Sequence, residues 1–359
     1  RICYTMTTAN LLLRSNKITV KHFEFWSPRF FEAPYYLYLL ALCAKHRLAP
    51  KFLAKANYAL DHGEIGIGSK LETQLAFDQR LFLPSILLEA SDNHDHKVAA
   101  ISKFAAEHQF PVILKPDMGC VGKGVIKVSS QEETLPLAAT LTVDYILQKY
   151  THFKQEFGVF FVRHGGRSFI SGINKKHFPT VVGDSERSLQ QLAEAHPRFT
   201  AHWDLFLQYV DRNHVPEAGE IVQLSFIGSH TMGCKFTNDS ELNTPALEQA
   251  ISQIAASQPG FNFGRLDVKA ESTAEFQAGH FVVIEVNGAA SLPTHMFDPS
   301  HSLAEGYRIF FEHARHLALA ANEQRTQPMN LLPLLEVLRK AKQQQAILNQ
   351  AHQTTLQRG

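Results

Sequence analysis

Two apolar segments in the second half of the chain carry side chains that suit a divalent cation. Asp267 lies in GRLDV, while Glu285 and Asn287 lie two residues apart in IEVNG. Alternate residues of a strand project from one face of a sheet, so Glu285 and Asn287 would share a face. If the segment of Asp267 forms the neighbouring strand, three oxygen donors converge, and oxygen is the ligand that Mg²⁺ prefers. Two Mg²⁺ ions held there could bridge neighbouring phosphates, with Mn²⁺ as a substitute.

A positive side chain accompanies this set. Arg265 lies two residues before Asp267 and would share its face of the strand. A guanidinium there could stabilise a transferred phosphoryl group or an oxyanion, so we predict a catalytic role for Arg265. The alternative for both segments is a pair of adjacent strands whose acids simply face solvent.

Residues 119–124 form a glycine-rich loop that spells G-x-x-G-x-G. The apolar segment PVILKP precedes it and VIKV follows it, so the loop joins two predicted strands. A dinucleotide-binding fingerprint runs from a strand into a helix instead. We therefore interpret the loop as a flap whose backbone N–H groups can approach phosphate oxygens. Lys115, at the end of the first strand, would point a positive charge into the same space. A plain hairpin turn with an incidental lysine is the alternative.

A second glycine pattern, GEIGIGSK at 63–70, has the glycine spacing of a P-loop. Its Ser69 and Lys70 stand in the reverse of the P-loop order, and no apolar strand leads into it. A P-loop NTPase would also require Lys70 rather than Lys115 to dominate phosphate binding. We disfavour that class of protein.

The length allows two or three lobes, and the composition is typical of a folded soluble protein. Of 359 residues, 45% are hydrophobic and 19% are charged, and the formal net charge is +1. A charge so close to zero gives no support for a nucleic-acid partner. The four cysteines lie far apart without metal-ligand spacing, which favours a reducing, cytoplasmic compartment. The apolar run at 33–44 is shorter than the roughly 20 residues of a membrane span, and we predict a buried helix there.

Short strands and helices alternate along the chain. This predicts an α/β or α+β protein. Ser188 followed by Gln191 is typical of a capping box at a helix start. The predicted strands cover 110–114, 125–128, 143–148, 158–162, 263–268 and 281–286, and the predicted helices cover 97–108, 244–257, 303–321 and 331–352. We place lobe boundaries so that the units span 1–75, 76–150, 151–325 and 326–359.

Together these residues resemble the ATP-grasp superfamily, as in D-alanine–D-alanine ligases and glutathione synthetases. The order agrees, running from Lys70 and Lys115 through the glycine loop and a hinge strand at 147–150 to the acids. The resemblance covers about residues 65–320, and VVGDSERSLQQL at 181–192 is similar to a stretch of cyanophycin synthetase-like ligases. It implies an α+β fold in which an N-terminal α/β lobe precedes two α+β lobes that clasp ATP.

The resemblance also implies a role for each matched residue. Lysines would hold phosphates, glycines would close over the γ-phosphate, the hinge would meet adenine, and an acid would bind the ribose. The implied nucleotide contacts are Lys70, Lys115, Gly119, Gly122, Lys123, Gly124, Gln148, Lys149, Tyr150 and Glu156, and the implied ligands of two Mg²⁺ ions are Asp267, Glu285 and Asn287. Lys115 and Arg265 would be catalytic. Gln148 departs from the family, because an acid is frequent at that position.

The function that the resemblance implies is ligation. A small carboxylate would be activated as an acyl phosphate and coupled to an amine, with release of ADP and phosphate. The expected partners are small molecules, with no nucleic acid, no transmembrane segment and a homo-oligomer as an option. Two alternatives stay open: an ATP-grasp kinase or thiol ligase, and a catalytically silent, regulatory ATP-binding protein. The complete set of lysines, two acids and asparagine disfavours the silent protein.

Overall fold

The computed structural model describes residues 20–119, 122–196, 198–199, 209–230 and 233–356. Helices are interspersed with strands along the chain, but every pairing between named strands is antiparallel, so the predicted α+β class is confirmed. The strands are β1 Ser85–Leu88, β2 Val112–Pro116, β3 Ile126–Val128, β4 Tyr145–Lys149, β5 Gln155–His164, β6 Arg167–His177, β7 Thr180–Val182, β8 Ile221–Gln223, β9 Lys235–Asn238, β10 Phe263–Ala270 and β11 Val282–Asn287. The α-helices are α1 Pro28–Lys45, α2 Lys70–Leu75, α3 His94–His108, α4 Thr134–Ala138, α5 Leu189–Ala195, α6 Pro245–Ala256, α7 Thr273–Gln277, α8 Leu303–Glu323 and α9 Leu334–Leu356.

The smaller of the two main sheets has the strand order β1-β4-β2-β3, with every pair antiparallel. Alternate residues of β2 point into its core, where Val112 and Leu114 are fully buried. Helix α3 covers this face with Ile101 and Phe104, and its first turn is capped by Asn93, which accepts a hydrogen bond from the His96 N–H. The predicted strands of this sheet and the helix at 97–108 are all found, with ends shifted by a few residues.

The larger sheet has the strand order β11-β10-β5-β6-β9 and is antiparallel throughout. Its central strand β5 is buried for most of its length, because helices pack on both faces of the sheet. On one face Phe157 packs with Ile251 of α6, and on the other Phe263 packs with residues of α1 and α8. The sequence of strand β6 contains no continuous apolar segment, so this strand was not predicted. It pairs with β5 through a turn at Gly165–Gly166, where both residues have positive φ.

The helix predicted at 33–44 is present as α1, but it is buried on one face only. Tyr35 and Leu39 pack against α8, whereas Leu37 and Leu40 remain 69% and 51% exposed. The prediction of a buried helix was therefore wrong for half of its surface. Described residues 20–75 contain helices and turns, and none of the named strands. Within the described part of the chain, no helix has the length and apolar character needed to span a membrane.

The C-terminal helix α9 returns to the small sheet. Leu348 and Ala351 are fully buried, and Ala351 joins the core beneath β2 and β3. A Cβ added to Gly124 would lie 2.7 Å from the Cβ of Ala351, so this helix packs directly on the end of the glycine loop. Gln344, two turns earlier, lines the cleft between the main sheets. The C-terminal helix, for which no motif indicates a role, is thus part of the cleft wall.

Candidate active site

A cavity of about 350 Å³ lies between the small and large sheets. Strands β2 and β4 contribute one wall, and β10 and β11 contribute the facing wall. Gly124 is the only predicted site residue that is not among its lining residues. The cavity is lined by Lys70, Lys115, Gly119, Gly122, Lys123, Gln148, Lys149, Tyr150, Glu156, Arg265, Asp267, Glu285 and Asn287.

The acids and the asparagine meet through the pairing of β10 with β11. Asp267 lies directly opposite Glu285, and Arg265 lies directly opposite Asn287. Because register partners and residues two apart share a face, all four side chains project into the cleft. The Asn287 amide Nδ2 lies 3.4 Å from Asp267 Oδ2.

Cations hold both carboxylates. Arg265 donates two hydrogen bonds to Asp267, from Nε at 2.9 Å and from Nη2 at 3.0 Å. Lys176 Nζ lies 3.3 Å from the same carboxylate. Lys70 forms an ion pair with Glu285. Burial by itself would raise the pKa of Glu285, but the charges of Lys70 and Lys115 outweigh it and hold the pKa at about 2.

This donor set fits a hard cation. Two carboxylates and one amide converge from neighbouring strands, which is the oxygen chemistry that Mg²⁺ prefers. Among the described residues, no cluster of three or more His, Cys, Asp or Glu side chains is arranged to hold a metal. A metal here would therefore rely on the Asn287 oxygen as well as the two acids.

Two predicted phosphate lysines lie side by side near Glu285. Lys115 Nζ donates to the carbonyl oxygen of Ile284 at 2.9 Å and to Gln148 Oε1 at 3.2 Å. Burial lowers the pKa of Lys115 to about 8, although Glu285 acts in the opposite direction. For Lys70, burial is outweighed by Glu285, and its pKa is raised.

Glu156, the predicted ribose contact, is tied into a buried ion cluster. Its carboxylate accepts a hydrogen bond from Lys176 Nζ at 2.8 Å and lies 3.6 Å from Lys269 Nζ. Lys176 therefore bridges Glu156 and Asp267, and these two acids outweigh burial and raise its pKa. No sequence motif singles out Lys176. Its position between two acids is a result of the tertiary structure.

The glycine loop contributes backbone to the cleft. Gly119 is buried, and a Cβ on it would lie 2.8 Å from the carbonyl oxygen of Pro116, so a larger residue has no room. Gly122 and Gly124 both have positive φ, at 77° and 75°. Gly124 faces α9 rather than the cavity, so its phosphate contact stays a prediction. Cys120 and Val121, at the middle of the loop, lie outside the described residues.

Gln148 stands where the sequence resemblance makes an acid frequent, and the structure shows what surrounds it. It is buried, with its amide Nε2 donating to Ser85 Oγ at 3.0 Å while its oxygen accepts from Lys115. The neutral amide thus meets a lysine whose pKa is already lowered. An acid at the same position would counteract that lowering.

Several residues of the cleft were missed by sequence reasoning. They come from the N-terminal segment, from 226–230, from 290–297 and from the C-terminal helix, and they include Glu32, His230, Thr294, Phe297 and Gln344. No short motif connects these positions, because they are brought together only by packing. They line the same cavity as Arg265 and Asn287.

No protein-family model and no curated protein matches this sequence. Solved structures do match. A bifunctional glutathione synthetase from Pasteurella multocida gives a TM-score of 0.35 at 16% identity, over 68% of this chain and 36% of that protein. A D-alanine–D-alanine ligase from Bacillus anthracis gives 0.40 at 13% identity, over 72% and 69%. A carboxyaminoimidazole ribonucleotide synthase from Aspergillus clavatus, complexed with ATP, gives 0.37 at 13% identity, over 62% and 45%.

A glutathione synthetase and a D-alanine–D-alanine ligase, two of the kinds of ligase that the sequence resemblance names, are among these matches. The chain spans 36% of the glutathione synthetase and 45% of the ribonucleotide synthase. Because these identities and TM-scores are low, a proposal about the reaction has to rest on the residues of the cleft in this chain.

Proposed function

We propose that this protein is an ATP-grasp carboxylate–amine ligase, which converts a small carboxylate to an acyl phosphate and couples it to an amine. The observation that supports this most is the cleft itself. Lys70, Lys115, Lys123 and Lys176 line it together with a facing set of two acids and an amide. This combination suits a polyphosphate with its bound cations better than a single small anion.

The lysines have distinct tasks in the proposed reaction. Lys115 and Lys70 reach the same side of the cleft and would hold the phosphates of ATP. Their charges replace water around the phosphates and fix the γ-phosphate for in-line attack. Lys123, on the glycine loop, would follow the γ-phosphate when the loop closes over it.

Asp267, Glu285 and Asn287 would hold Mg²⁺, which when bound neutralises charge on the phosphates. Until a metal ion binds, Arg265 and Lys70 neutralise the carboxylates of Asp267 and Glu285. Once the carboxylates have other partners, Arg265 is released toward the cleft, where its guanidinium can stabilise negative charge on the carbonyl oxygen of the reacting acyl group. These ion pairs thus keep the side chains of Arg265 and Lys70 close to the positions where their charges would act.

The reacting groups lie away from bulk water. Gln148, Glu156 and Asp267 are each less than 5% exposed, and the glycine loop closes one side of the cavity. Exclusion of water protects an acyl phosphate from hydrolysis until the amine arrives.

The test is ADP release with a panel of amino acids and dipeptides, singly and in pairs, followed by mass spectrometry. We expect little turnover with ATP alone and turnover when both an acid and an amine are present. The product mass should equal the sum of the two less one water. A phosphorylated hydroxyl compound would make the protein a kinase. ATP binding without stimulation by any compound would favour the regulatory alternative.

A further inference from the structure

A buried carboxylate–imidazole pair adjoins the cleft, because its histidine is one of the lining residues. Glu24 Oε2 accepts a hydrogen bond from His230 Nε2 at 3.0 Å. The Glu24 side chain is 4% exposed and the His230 side chain is 11% exposed. The two residues are 206 positions apart in sequence, so only the fold creates the pair.

The acid of this pair is kept ionised. Arg198 donates to both carboxylate oxygens of Glu24, at 3.0 Å and 2.9 Å. Burial alone would raise the pKa of Glu24, but the hydrogen bonds from His230 and Arg198, together with the Arg198 charge, outweigh it and hold the pKa at about 2. A carboxylate that never protonates near neutral pH can only accept a hydrogen bond. It therefore fixes the proton of a neutral His230 on Nε2 and leaves Nδ1 with its lone pair.

The ring of His230 is also fixed in place. It contacts Phe25, Phe236 and Phe297, with ring centroids 5.5–5.7 Å away. His230 itself lines the cleft with Arg265 and Asn287. Such a clamp selects one ring orientation, as a base that acts on a bound substrate needs.

His230 is connected through its neighbours to the buried ion cluster of Glu156, Lys176 and Asp267. Gly228, two residues earlier, packs on the ion cluster, since a Cβ there would lie 2.2 Å from Glu156 Oε1 and 3.0 Å from Lys176 Cδ. Phe236, which contacts the imidazole, lies opposite Lys176 in the pairing of β6 with β9. Lys176 in turn lies 3.3 Å from Asp267. The imidazole thus lines the cleft next to the ion cluster that contains Asp267.

We infer that His230 is the general base that deprotonates the incoming amine, with Glu24 as its positioning residue. This inference rests on the proposed ligase reaction. An amine reaches the cleft as an ammonium group, which has no lone pair for attack. His230 Nδ1 accepts one of its protons. The freed nitrogen then forms the C–N bond to the acyl carbon, and the C–O bond to phosphate breaks with its electron pair leaving on phosphate. The second N–H proton passes to the departing phosphate, and the imidazolium returns its proton to solvent.

The first experiment needs no substrate. The protein is labelled with ¹⁵N-histidine, and the His230 signals are assigned by their loss in His230→Gln. We expect two-bond ¹H–¹⁵N spectra at pH 7.5 to report the tautomer with the proton on Nε2. In Glu24→Gln we expect a mixture of the two His230 tautomers. If Glu24→Gln does not fold, Glu24→Asp is used in its place. A proton on Nδ1 in the unmodified protein would overturn the inference whether or not ligation is found.

The second experiment uses hydroxylamine, which is largely unprotonated at neutral pH. Its coupling to the activated carboxylate needs no base for the first proton. We expect His230→Gln to lose about 100-fold or more in kcat with amino-acid amines, and to keep most of its hydroxamate formation. Equal losses with both nucleophiles, or no loss with either, would overturn the assignment.

A matched control comes from the protein surface. His280 Nδ1 lies 2.8 Å from Glu275 Oε2, but this imidazole is 72% exposed and does not line the cleft. His280→Gln should leave both rates unchanged. If no acid–amine pair supports ADP release in the unmodified protein, the proposed ligase reaction fails, while the tautomer still tests the His230–Glu24 arrangement.

Discussion

Asp267 and Glu285 lie directly opposite each other on paired strands, yet each carboxylate is neutralised by a separate cation. A buried and a partly buried acid this close would otherwise repel each other. Under the proposed function, the acids would exchange Arg265 and Lys70 for a divalent cation on binding. Arg265 and Lys70 would then be free to meet the acyl group and the phosphates.

Glu285→Gln should remove most of the effect of Mg²⁺ on ATP binding. The amide keeps the shape of the side chain but loses the charge that attracts the cation. We expect the ratio of the ATP Kd without and with Mg²⁺ to approach one, and ADP formation to fall by about 100-fold or more. Isothermal titration calorimetry with and without a chelator measures the ratio. Glu275→Gln on the surface is the control, and an unchanged Mg²⁺ effect in Glu285→Gln would contradict the ligand assignment.

ATP binding at pH 8.5 should take up a proton at Lys115. The pKa of Lys115 is lowered to about 8, so at pH 8.5 the amine is mostly neutral. Nearby phosphates favour its charged form and raise that pKa, so the complex binds more protons than the free protein. At pH 6.5 the amine is already charged, and this uptake should vanish.

Calorimetry in two buffers of different ionisation enthalpy gives the number of protons taken up. Lys115→Met should abolish the uptake at pH 8.5, whereas Lys149→Met, at the exposed end of the same cleft, should retain it. Equal uptake in both variants would place the titrating group elsewhere.

Gly124→Ala should disturb the contact between the glycine loop and the C-terminal helix. A Cβ there would lie 2.7 Å from both Ala351 Cβ and Pro116 Cγ. We expect a higher KM for ATP and a loss of about 2–4 kcal/mol in unfolding free energy, from backbone strain plus overpacking. Gly166→Ala is the matched control, because Gly166 has φ of 70° with no neighbour within 4 Å. It should lose only about 1 kcal/mol, with KM unchanged. Equal losses of unfolding free energy in the two variants would mean that helix α9 moves aside without an energetic penalty.

Asn57→Ala should destabilise the junction between the N-terminal segment and β10. The Asn57 oxygen accepts from the N–H groups of Asn262 and Phe263 at 3.0 Å and 3.1 Å, and its amide donates to the Phe263 carbonyl at 2.8 Å. Removing a fully buried side chain leaves these backbone groups without partners, which costs about 2–4 kcal/mol. Chemical denaturation measures the change. The exposed Asn213→Ala should cost less than about 0.5 kcal/mol, and a similar loss in both would contradict the role of Asn57.

Local spacing in the sequence determined much of the cleft. The alternation in IEVNG places Glu285 and Asn287 on one face of whichever strand contains them, because a strand repeats every two residues. The glycines at 119 and 122, flanked by β-branched segments, predicted a loop between strands, and the capping box of Ser188 and Gln191 predicted the start of α5. In each case the deciding interaction lies within a few residues of the chain.

Only the tertiary structure decided which distant groups meet. The register that sets Asp267 against Glu285, the insertion of Lys176 between Glu156 and Asp267, and the return of α9 to the glycine loop all depend on the packing of separate elements. The pairing of Glu24 with His230 depends on it too, since the two residues are 206 positions apart. A local pattern fixes the direction of a side chain, but not the charge that it will face. That partner is selected by the burial of whole helices and sheets, to which every part of the chain contributes.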